Sequence, residues 1–452
     1  MEEPCRYFIY TFGCQMNEHD SETLAGFCEK MGYNKTKDLA EADLIILNTC
    51  CVRGNAENRI YGHIGNLKPL KESRPDVILA VCGCMAQEPG ERERIKSAHP
   101  YVDLIFGPQN LHDFPALLQR ALHEHKRIIE VELGPGTVRE GLPIRRESGF
   151  KAWVTIIQGC NNFCSYCIVP YVRGRERSRT PEKIIAEVEG LVAEGVREIT
   201  LLGQNVNSYG LDLGQNIDFT SLLRRIDSVN GLLRTRFMTS HPKDLSDRLI
   251  EAMAECPTVC EHLHLPVQAG SNHILDLMER RYTREHYLDL VRRLRAAIPD
   301  VVLTTDIIVG FPGETDGDFA ETLDLVEEVR FDGAYTFSYS PRLGTKAANM
   351  ENQTSDGVKK ERLYRLIEVQ NRISKELNEQ LRGHTLEVLV EGPSERNPDI
   401  WCGRTRGNKL ALFPGPAEKS RLVEICVNEP QTWTLHGTIH GSCGDDCSLF
   451  LA

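Results

Sequence analysis

AWVTIIQGCNNFCSYCIVPYVRGRERSR, residues 152–179, decides how the chain is read. The apolar run AWVTIIQG (152–159) has the composition of a buried strand. Cys160, Cys164 and Cys167 follow within eight positions, and then Arg173, Arg175, Arg177 and Arg179 within seven. Thiolates are the ligands of iron–sulfur clusters, and a cubane cluster has four irons. Three ligands on one loop leave one iron open. An open position suits a catalytic centre, whereas a structural site is closed. A structural zinc site wants four ligands, and no second C-x2-C follows at ribbon spacing.

Outward from this loop, the strand–loop rhythm repeats. REITLLG (197–203), LRTRFMTS (233–240), CEHLHLP (260–266), VVLTTDIIVG (301–310) and DGAYTFSYS (332–340) read as strands with helices between them. Residues 181–195 carry Ile184, Ile185, Val188, Leu191 and Val192 at helical spacing after Pro181. Six such units predict a partial (βα)6 barrel of the TIM type over 149–382, closed by a charged helix over 356–382. Upstream, RYFIYTFG (6–13), DLIILNTC (43–50), VILAVCGC (77–84) and DLIFG (103–107) alternate with amphipathic stretches such as 18–31 and 86–97. That alternation predicts a Rossmann-like parallel α/β domain over 1–135. The Gly-, Pro- and charge-rich stretch 136–148 reads as a linker. Short strands with glycine turns over 383–441 predict a small antiparallel β-barrel, followed by a tail over 442–452. The fold class is therefore α/β, multidomain.

With 452 residues, 41% hydrophobic and 26% charged, the chain has an ordinary globular composition. It contains no apolar run long enough for a membrane span, and MEEPCRYFIYTFG lacks the features of a secretory signal. A cytoplasmic location is expected. Sixteen cysteines in that setting read as metal ligands or redox groups before disulfides. A net charge of -12 argues against a nucleic-acid partner as a global sum, but not against a local basic patch.

The pattern C-x3-C-x-aromatic-C, with Tyr166 before Cys167, at the end of a first barrel strand resembles the signature of the radical S-adenosylmethionine (SAM) superfamily. The resemblance implies a 4Fe-4S cluster on Cys160, Cys164 and Cys167 whose open iron chelates SAM. One electron then cleaves SAM to a radical that abstracts hydrogen. Other strand ends fit SAM contacts: Gln204, Asn205 and Asn207 in LLGQNVNSYG, and Asp306, Gly310, Gly313 and Glu314 in TTDIIVGFPGET. The alternative at each is an ordinary βα loop with caps and turns.

A second constellation lies upstream. Cys14 follows the first strand, Cys50 ends the second and Cys84 ends the third, so a parallel sheet brings them to one edge. Cys51 and Cys82 leave the choice open, although neighbours in a strand face opposite ways. The alternative is a set of small buried hydrophobes. TFGCQMNEHDSE, NTCCVRGNAENRIYG and GCMAQ resemble the N-terminal domain of the methylthiotransferases, in which the cysteines matching Cys14, Cys50 and Cys84 hold an auxiliary cluster. The C-terminal segment resembles a TRAM domain, an RNA-binding barrel. RGRERSR, LLGQNVNSYG, MTSHP, LPVQAGSN and TDIIVGFPGET resemble the MiaB-type branch, which methylthiolates tRNA. The implied reaction adds a methylthio group to C2 of N6-isopentenyladenosine at position 37, using two 4Fe-4S clusters and two SAM molecules. Sister branches acting on threonylcarbamoyladenosine or on a ribosomal protein differ at GQNVN, which matches neither, and a non-enzymatic iron–sulfur or RNA-binding protein is the other alternative. Cys51, and Cys443 and Cys447 in the tail, depart from the family pattern.

If residues 173–179 run extended, Arg173, Arg175, Arg177 and Arg179 form a row of guanidiniums suited to phosphates. Arg404, Arg406 and Lys409 in GRTRGNKLALF form a second candidate RNA surface, for which an ordinary hairpin is the alternative. Cys256 and Cys260 lack further partners and read as structural, and His262 and His264 as barrel packing. Expected partners are a tRNA anticodon stem-loop carrying isopentenyladenosine and an electron donor such as flavodoxin or ferredoxin, with the protein itself a monomer.

Overall fold

A computed structural model describes residues 4–51, 54–124, 126–131, 138–214 and 217–440, with 54–58 described in backbone only. The tail cysteines Cys443 and Cys447 lie outside the described residues. The chain divides into two compact units. The first comprises Met1–Glu194, Thr200–Ile217 and Ser340–Asn349; the second comprises Gly195–Ile199, Asp218–Tyr339 and Met350–Ala452.

The first unit opens with a six-stranded sheet of β1 (Arg6–Thr11), β2 (Asn34–Lys35), β3 (Leu44–Thr49), β4 (Ile78–Gly83), β5 (Leu104–Phe106) and β6 (Ile128–Glu130). Its order is β2-β1-β3-β4-β5-β6, with every pair parallel. The four expected strands are present, and β2 and β6 add short edges. All six residues of β3 and of β4 are buried, because helices cover both faces. One face packs Tyr7, Leu24, Ile46 and Phe106 with Phe114 and Leu117 of the helix Phe114–Glu124. The other packs Ile45, Leu47 and Val81 with Ile60, Ile64 and Ile95. The helix expected over 86–97 is instead two, Cys84–Gln87 and Pro89–Ala98. Glu88 between them is extended (φ −70°, ψ 125°), since Pro89 disfavours the helical region for the residue before it.

The strand expected over 152–159 is likewise two, β7 (Lys151–Thr155) and β8 (Ile157–Gln158). β8 pairs antiparallel with β9 (Arg177–Ser178), Ile157 opposite Ser178 and Gln158 opposite Arg177, which closes the cysteine loop at its base. β10 (Glu198–Leu202) crosses from the second unit into the first, where Ile156 N–H donates to the Leu202 carbonyl at 2.9 Å.

The second unit holds β11 (Arg234–Phe237), β12 (His262–His264), β13 (Val302–Val309) and β14 (Gly333–Ser338). β12, β13 and β14 are parallel neighbours, and a parallel bridge from Thr235 to Val259 sets β11 beside β12. All six strands expected of the central barrel are therefore present. The helix Asp356–Glu379 follows. Then β15 (Thr385–Pro393), β16 (Ile400–Thr405), β17 (Leu410–Pro414), β18 (Leu422–Pro430) and β19 (Thr434–Ile439) close a barrel in the order β15-β16-β17-β19-β18. Its pairs are antiparallel as expected, except β17 with β19, which is parallel. Among the described residues no helix is long and apolar enough to cross a membrane.

Candidate active site

The sheet order of the first unit reverses between β1 and β3, and ligands of doubly wound sheets gather beyond the strand ends at such a point. Cys14 follows β1 as the N-cap of the helix Gln15–Lys30, Cys50 follows β3, and Cys84 follows β4. The structure thus brings these three to one edge. A Cβ on Gly13 would lie 2.7 Å from Cβ of Cys50, so the chain beside Cys14 runs directly against Cys50. The Cys14 thiol lies 3.5 Å from Oδ1 of Asn17. Cys51, in the bend after β3, joins the apolar core of Ile45 and Leu47, which also holds Cys84. From there it hydrogen-bonds Cys84. Cys82 is buried in the other core layer, and burial pushes its thiol far up.

The Cys84 thiol is pulled down to about 6, first by the hydrogen bond from Cys51 and then by the guanidinium of Arg173. The Cys51 thiol is pushed up by that hydrogen bond and by burial. Arg173 is 8% exposed, donates to Asp20 Oδ2 at 2.8 Å, and is charge-paired with Cys84, Asp20 and Cys14. A buried cation therefore stands among the cysteines of this edge. Sequence reasoning missed Asp20 and this role of Arg173, because nothing local marks a contact over 153 residues.

The second cysteine set occupies the loop closed by β8 and β9. Cys160 N–H donates to the Gly174 carbonyl at 3.1 Å, and Cys167 N–H to the Cys164 carbonyl at 2.9 Å. Gly13, Gly83 and Gly159, each just before a candidate ligand, all have positive φ (129°, 93° and 81°). At Gly159 a Cβ would lie 2.0 Å from the Arg175 carbonyl oxygen, so only glycine fits. Burial pushes the Cys160 thiol up to about 11, so ionising it calls for a cationic partner such as iron. Three thiols, an obligatory glycine and a closed loop fit a three-ligand cluster. Among the described residues no three His, Cys, Asp or Glu side chains converge as ligands of one metal ion.

The segment after Cys167 joins the two sets. Ile168 and Val172 pack in the same apolar core as Cys51, Cys84 and Met85. Tyr166 is half-buried. Gln204 Oε1 accepts from Gly159 N–H at 2.5 Å, so it holds the cysteine loop. Asn205 is buried, and both amide atoms of Asn207 are buried without a hydrogen-bond partner among the described residues.

The expected extended row of arginines does not form. Arg173 is helical (φ −109°, ψ −5°) and Gly174 has φ +79°, so the chain turns between them. Arg173 is internal, and the Arg175 guanidinium sits 4.3 Å from the Phe163 ring centroid. Arg177 donates to the Arg173 carbonyl at 3.0 Å, and Arg179 pairs with Glu140 and Glu187 at 2.7 Å each. A cavity of about 610 Å³ opens beside them, lined by His19, Asp20, Arg173, Arg177, Arg179 and Lys183 among others.

In the second unit, Asp306 Oδ1 lies 3.5 Å from His264 Nε2 and pairs across the sheet with Tyr335. His262 and His264 are buried as expected. Glu314 is turned inward: one carboxylate oxygen accepts from Gly310 N–H and, at 2.8 Å, from Arg362. Arg406 forks onto both carboxylate oxygens of Glu261 at 2.7 Å, and Lys409 binds Asp332 at 2.7 Å and Asn378 at 2.8 Å. Arg404 lies 3.7 Å from Glu391. The loop that carries them is held by Arg234, which donates to the Arg404 carbonyl at 2.6 Å. Arg236 donates to the Thr405 and Arg406 carbonyls at 2.7 Å and to Glu198 at 3.0 Å. Arg406 and Lys409 are therefore engaged inside the molecule, because acidic partners lie opposite them.

Family models match the chain in three places: the radical SAM superfamily over 154–326, the uncharacterized protein family UPF0004 over 6–107, and the TRAM domain over 379–440. Among solved structures, the radical SAM methyltransferase TsrM from Kitasatospora setae matches with a TM-score of 0.53 at 15% identity, over 83% of this chain and 76% of its own. That likeness establishes the fold. A protein of Acetivibrio thermocellus is 57% identical over 96% of this chain and 90% of its own length. One of Thermoanaerobacter is 55% identical over 96% and 92%, and one of Syntrophomonas wolfei 52% over 97% and 98%. All three are named tRNA-2-methylthio-N(6)-dimethylallyladenosine synthase. Radical SAM membership carries S-adenosylmethionine and a 4Fe-4S cluster. With matching models along the chain and near-full-length relatives above half identity, the chain belongs to the radical SAM superfamily and, within it, to the tRNA-2-methylthio-N(6)-dimethylallyladenosine synthase family.

Proposed function

We propose that the protein is a tRNA methylthiotransferase that adds a methylthio group to C2 of N6-isopentenyladenosine at position 37. The observation that carries this reading is the pair of cysteine sets in one unit, each preceded by positive-φ glycine and joined through the core of Ile168, Val172, Cys51 and Cys84. Cys160, Cys164 and Cys167 would hold the radical SAM cluster, and Cys14, Cys50 and Cys84 an auxiliary one. Cys51 would lie beside this site, hydrogen-bonded to Cys84. When bound, the clusters and SAM supply a hydrogen-abstracting radical and the sulfur to be methylated.

The chain's own residues bind and orient. Gln204 fixes the cysteine loop through Gly159. Tyr166, Asn205 and Asn207 would contact SAM, while Glu314 supports the loop after β13 from inside. Arg173 offsets negative charge at the auxiliary site. Arg175, Arg177 and Lys183 offer cations to the anticodon stem-loop, and Arg404 offers a further one. The target base must leave its stack to react, which an anticodon loop permits. The modules are taken as 1–135, 149–382 and 383–441 around the linker 136–148. The reductant is a flavodoxin or ferredoxin, and the protein acts as a cytoplasmic monomer.

Mass spectrometry of tRNA nucleosides tests this, after incubation of the reduced, cluster-loaded protein with SAM and isopentenylated tRNA. The 2-methylthio nucleoside is the expected product. 5′-Deoxyadenosine without it would point to a sister-branch substrate and refute this one.

A further inference from the structure

The chain after β11 reads Met238-Thr239-Ser240-His241-Pro242, at the C-terminal end of a barrel strand, the edge where such barrels carry their chemistry. Three features coincide there. Thr239 has φ +68°, a conformation that a β-branched residue adopts only under constraint. Ser240 is 3% exposed, and its Oγ has no hydrogen-bond partner among the described residues. His241 is 5% exposed, and its Nε2 has none either.

The state of the imidazole follows from its surroundings. Nδ1 accepts the Lys243 backbone N–H at 3.2 Å. Burial, with Arg280, Lys243 and Arg281 nearby, holds the ring far below the ordinary histidine range, so it is neutral. A neutral ring that accepts at Nδ1 carries its proton at Nε2. The ring is fixed edge-on against Tyr282 at 5.7 Å, and Tyr282 is anchored to the Val267 carbonyl at 2.7 Å. Two buried donors, Oγ–H and Nε2–H, thus lie on consecutive residues directly after the strained Thr239. Buried donors of this kind are almost always satisfied in a working protein.

We propose that Ser240 and His241 form a hydrogen-bonding subsite for an adenosine-bearing ligand, donating to its ring nitrogen or ribose oxygen. The inference rests on the reading of the protein as a tRNA-modifying SAM enzyme, which supplies two such ligands: SAM and the target nucleoside. The turn acts by binding and orientation; no bond is made or broken by it.

The test uses the cluster-loaded full chain with Ser240→Ala, His241→Phe and His241→Gln. SAM affinity is read by equilibrium dialysis and tRNA affinity by filter binding. Product per 5′-deoxyadenosine is read in parallel with wild type. Loss of a donor is expected to weaken one ligand by about tenfold, and His241→Gln, which restores an N–H near Nε2, is expected to recover most of it. Weakened SAM binding names the cofactor as occupant. Weakened tRNA binding, or more 5′-deoxyadenosine per product at unchanged SAM affinity, names the nucleoside. Should His241→Phe fail to fold, Ser240→Ala and His241→Gln carry the same readouts. Unchanged affinities and unchanged product ratio in folded variants would overturn the proposal, whereas a wild type that makes no methylthio nucleoside would count against the function and leave the binding readouts intact.

Discussion

Replacing Arg173 by methionine should strip Asp20 of its partner inside the first unit. Both residues are 8% exposed, and the contact is 2.8 Å. Two unit charges whose centres are about 4 Å apart attract by about 4 kcal/mol at an effective dielectric constant of about 20. Breaking a buried pair by removing one partner typically costs about 3–5 kcal/mol, because a charge is left uncompensated. We therefore expect Arg173→Met to destabilise the first unit by about 4 kcal/mol. Asp20→Leu should cost less, since Cys84 and Cys14 remain beside the guanidinium. The double variant leaves neither charge exposed to the core and should return to within about 2 kcal/mol of wild type. The assay is urea unfolding of the reduced, cluster-free chain. Trp153 of β7 serves as its reporter after Trp401 and Trp433 are changed to phenylalanine, since the chain has 3 tryptophans. A cost below about 1 kcal/mol for Arg173→Met, or single costs that simply add in the double variant, would refute the reasoning.

Three further outcomes are expected. Gly159→Ala drives a Cβ to 2.0 Å from the Arg175 carbonyl at a positive φ, so the reconstituted variant should hold about four fewer irons per chain while the auxiliary site still loads; full iron content would contradict the loop geometry. The folded-state pKa of Cys84 is depressed to about 6 from an ordinary 9.0, so its contribution to stability is complete above about 9 and is lost as pH falls through about 6. The unfolding free energy of the cluster-free chain should thus rise with pH across that window, with a weaker rise in Arg173→Met and in Cys51→Ala. Arg175→Ala should lower the salt slope of tRNA binding by about 1, whereas Arg406→Ala should loosen the C-terminal barrel, seen as faster proteolysis of 383–440, with the slope nearly unchanged.

Strand rhythm in the sequence located the six central strands and the four longer ones of the N-terminal sheet, since buried parallel strands read as continuous apolar runs such as LIILNT. It also brought Cys14, Cys50 and Cys84 to one edge, because parallel strands end together. It could not foresee the break between β7 and β8 or the turn at Gly174, which arise from closing the cysteine loop rather than from local propensity. Arg173 read as a phosphate contact because only its neighbours in sequence were visible; Asp20, 153 residues away, decides its role. Arg406 and Lys409 pair with Glu261 and Asp332, partners too distant along the chain to be visible in the sequence. The pairing of Glu314 with Arg362 on a later helix is a further contact that its place after a strand does not announce.

The clamp formed by Arg234 and Arg236 grips main-chain carbonyls of residues 404–406. A carbonyl is the same whatever side chain it carries. The part of the C-terminal barrel's attachment that these two arginines supply is therefore largely indifferent to the side chains at 404 and 405, whereas the fork of Arg406 onto Glu261 is not. Side chains at 404 and 405 can change without altering what this clamp holds. Selection on the grip falls instead on two arginines in a strand more than 160 residues earlier.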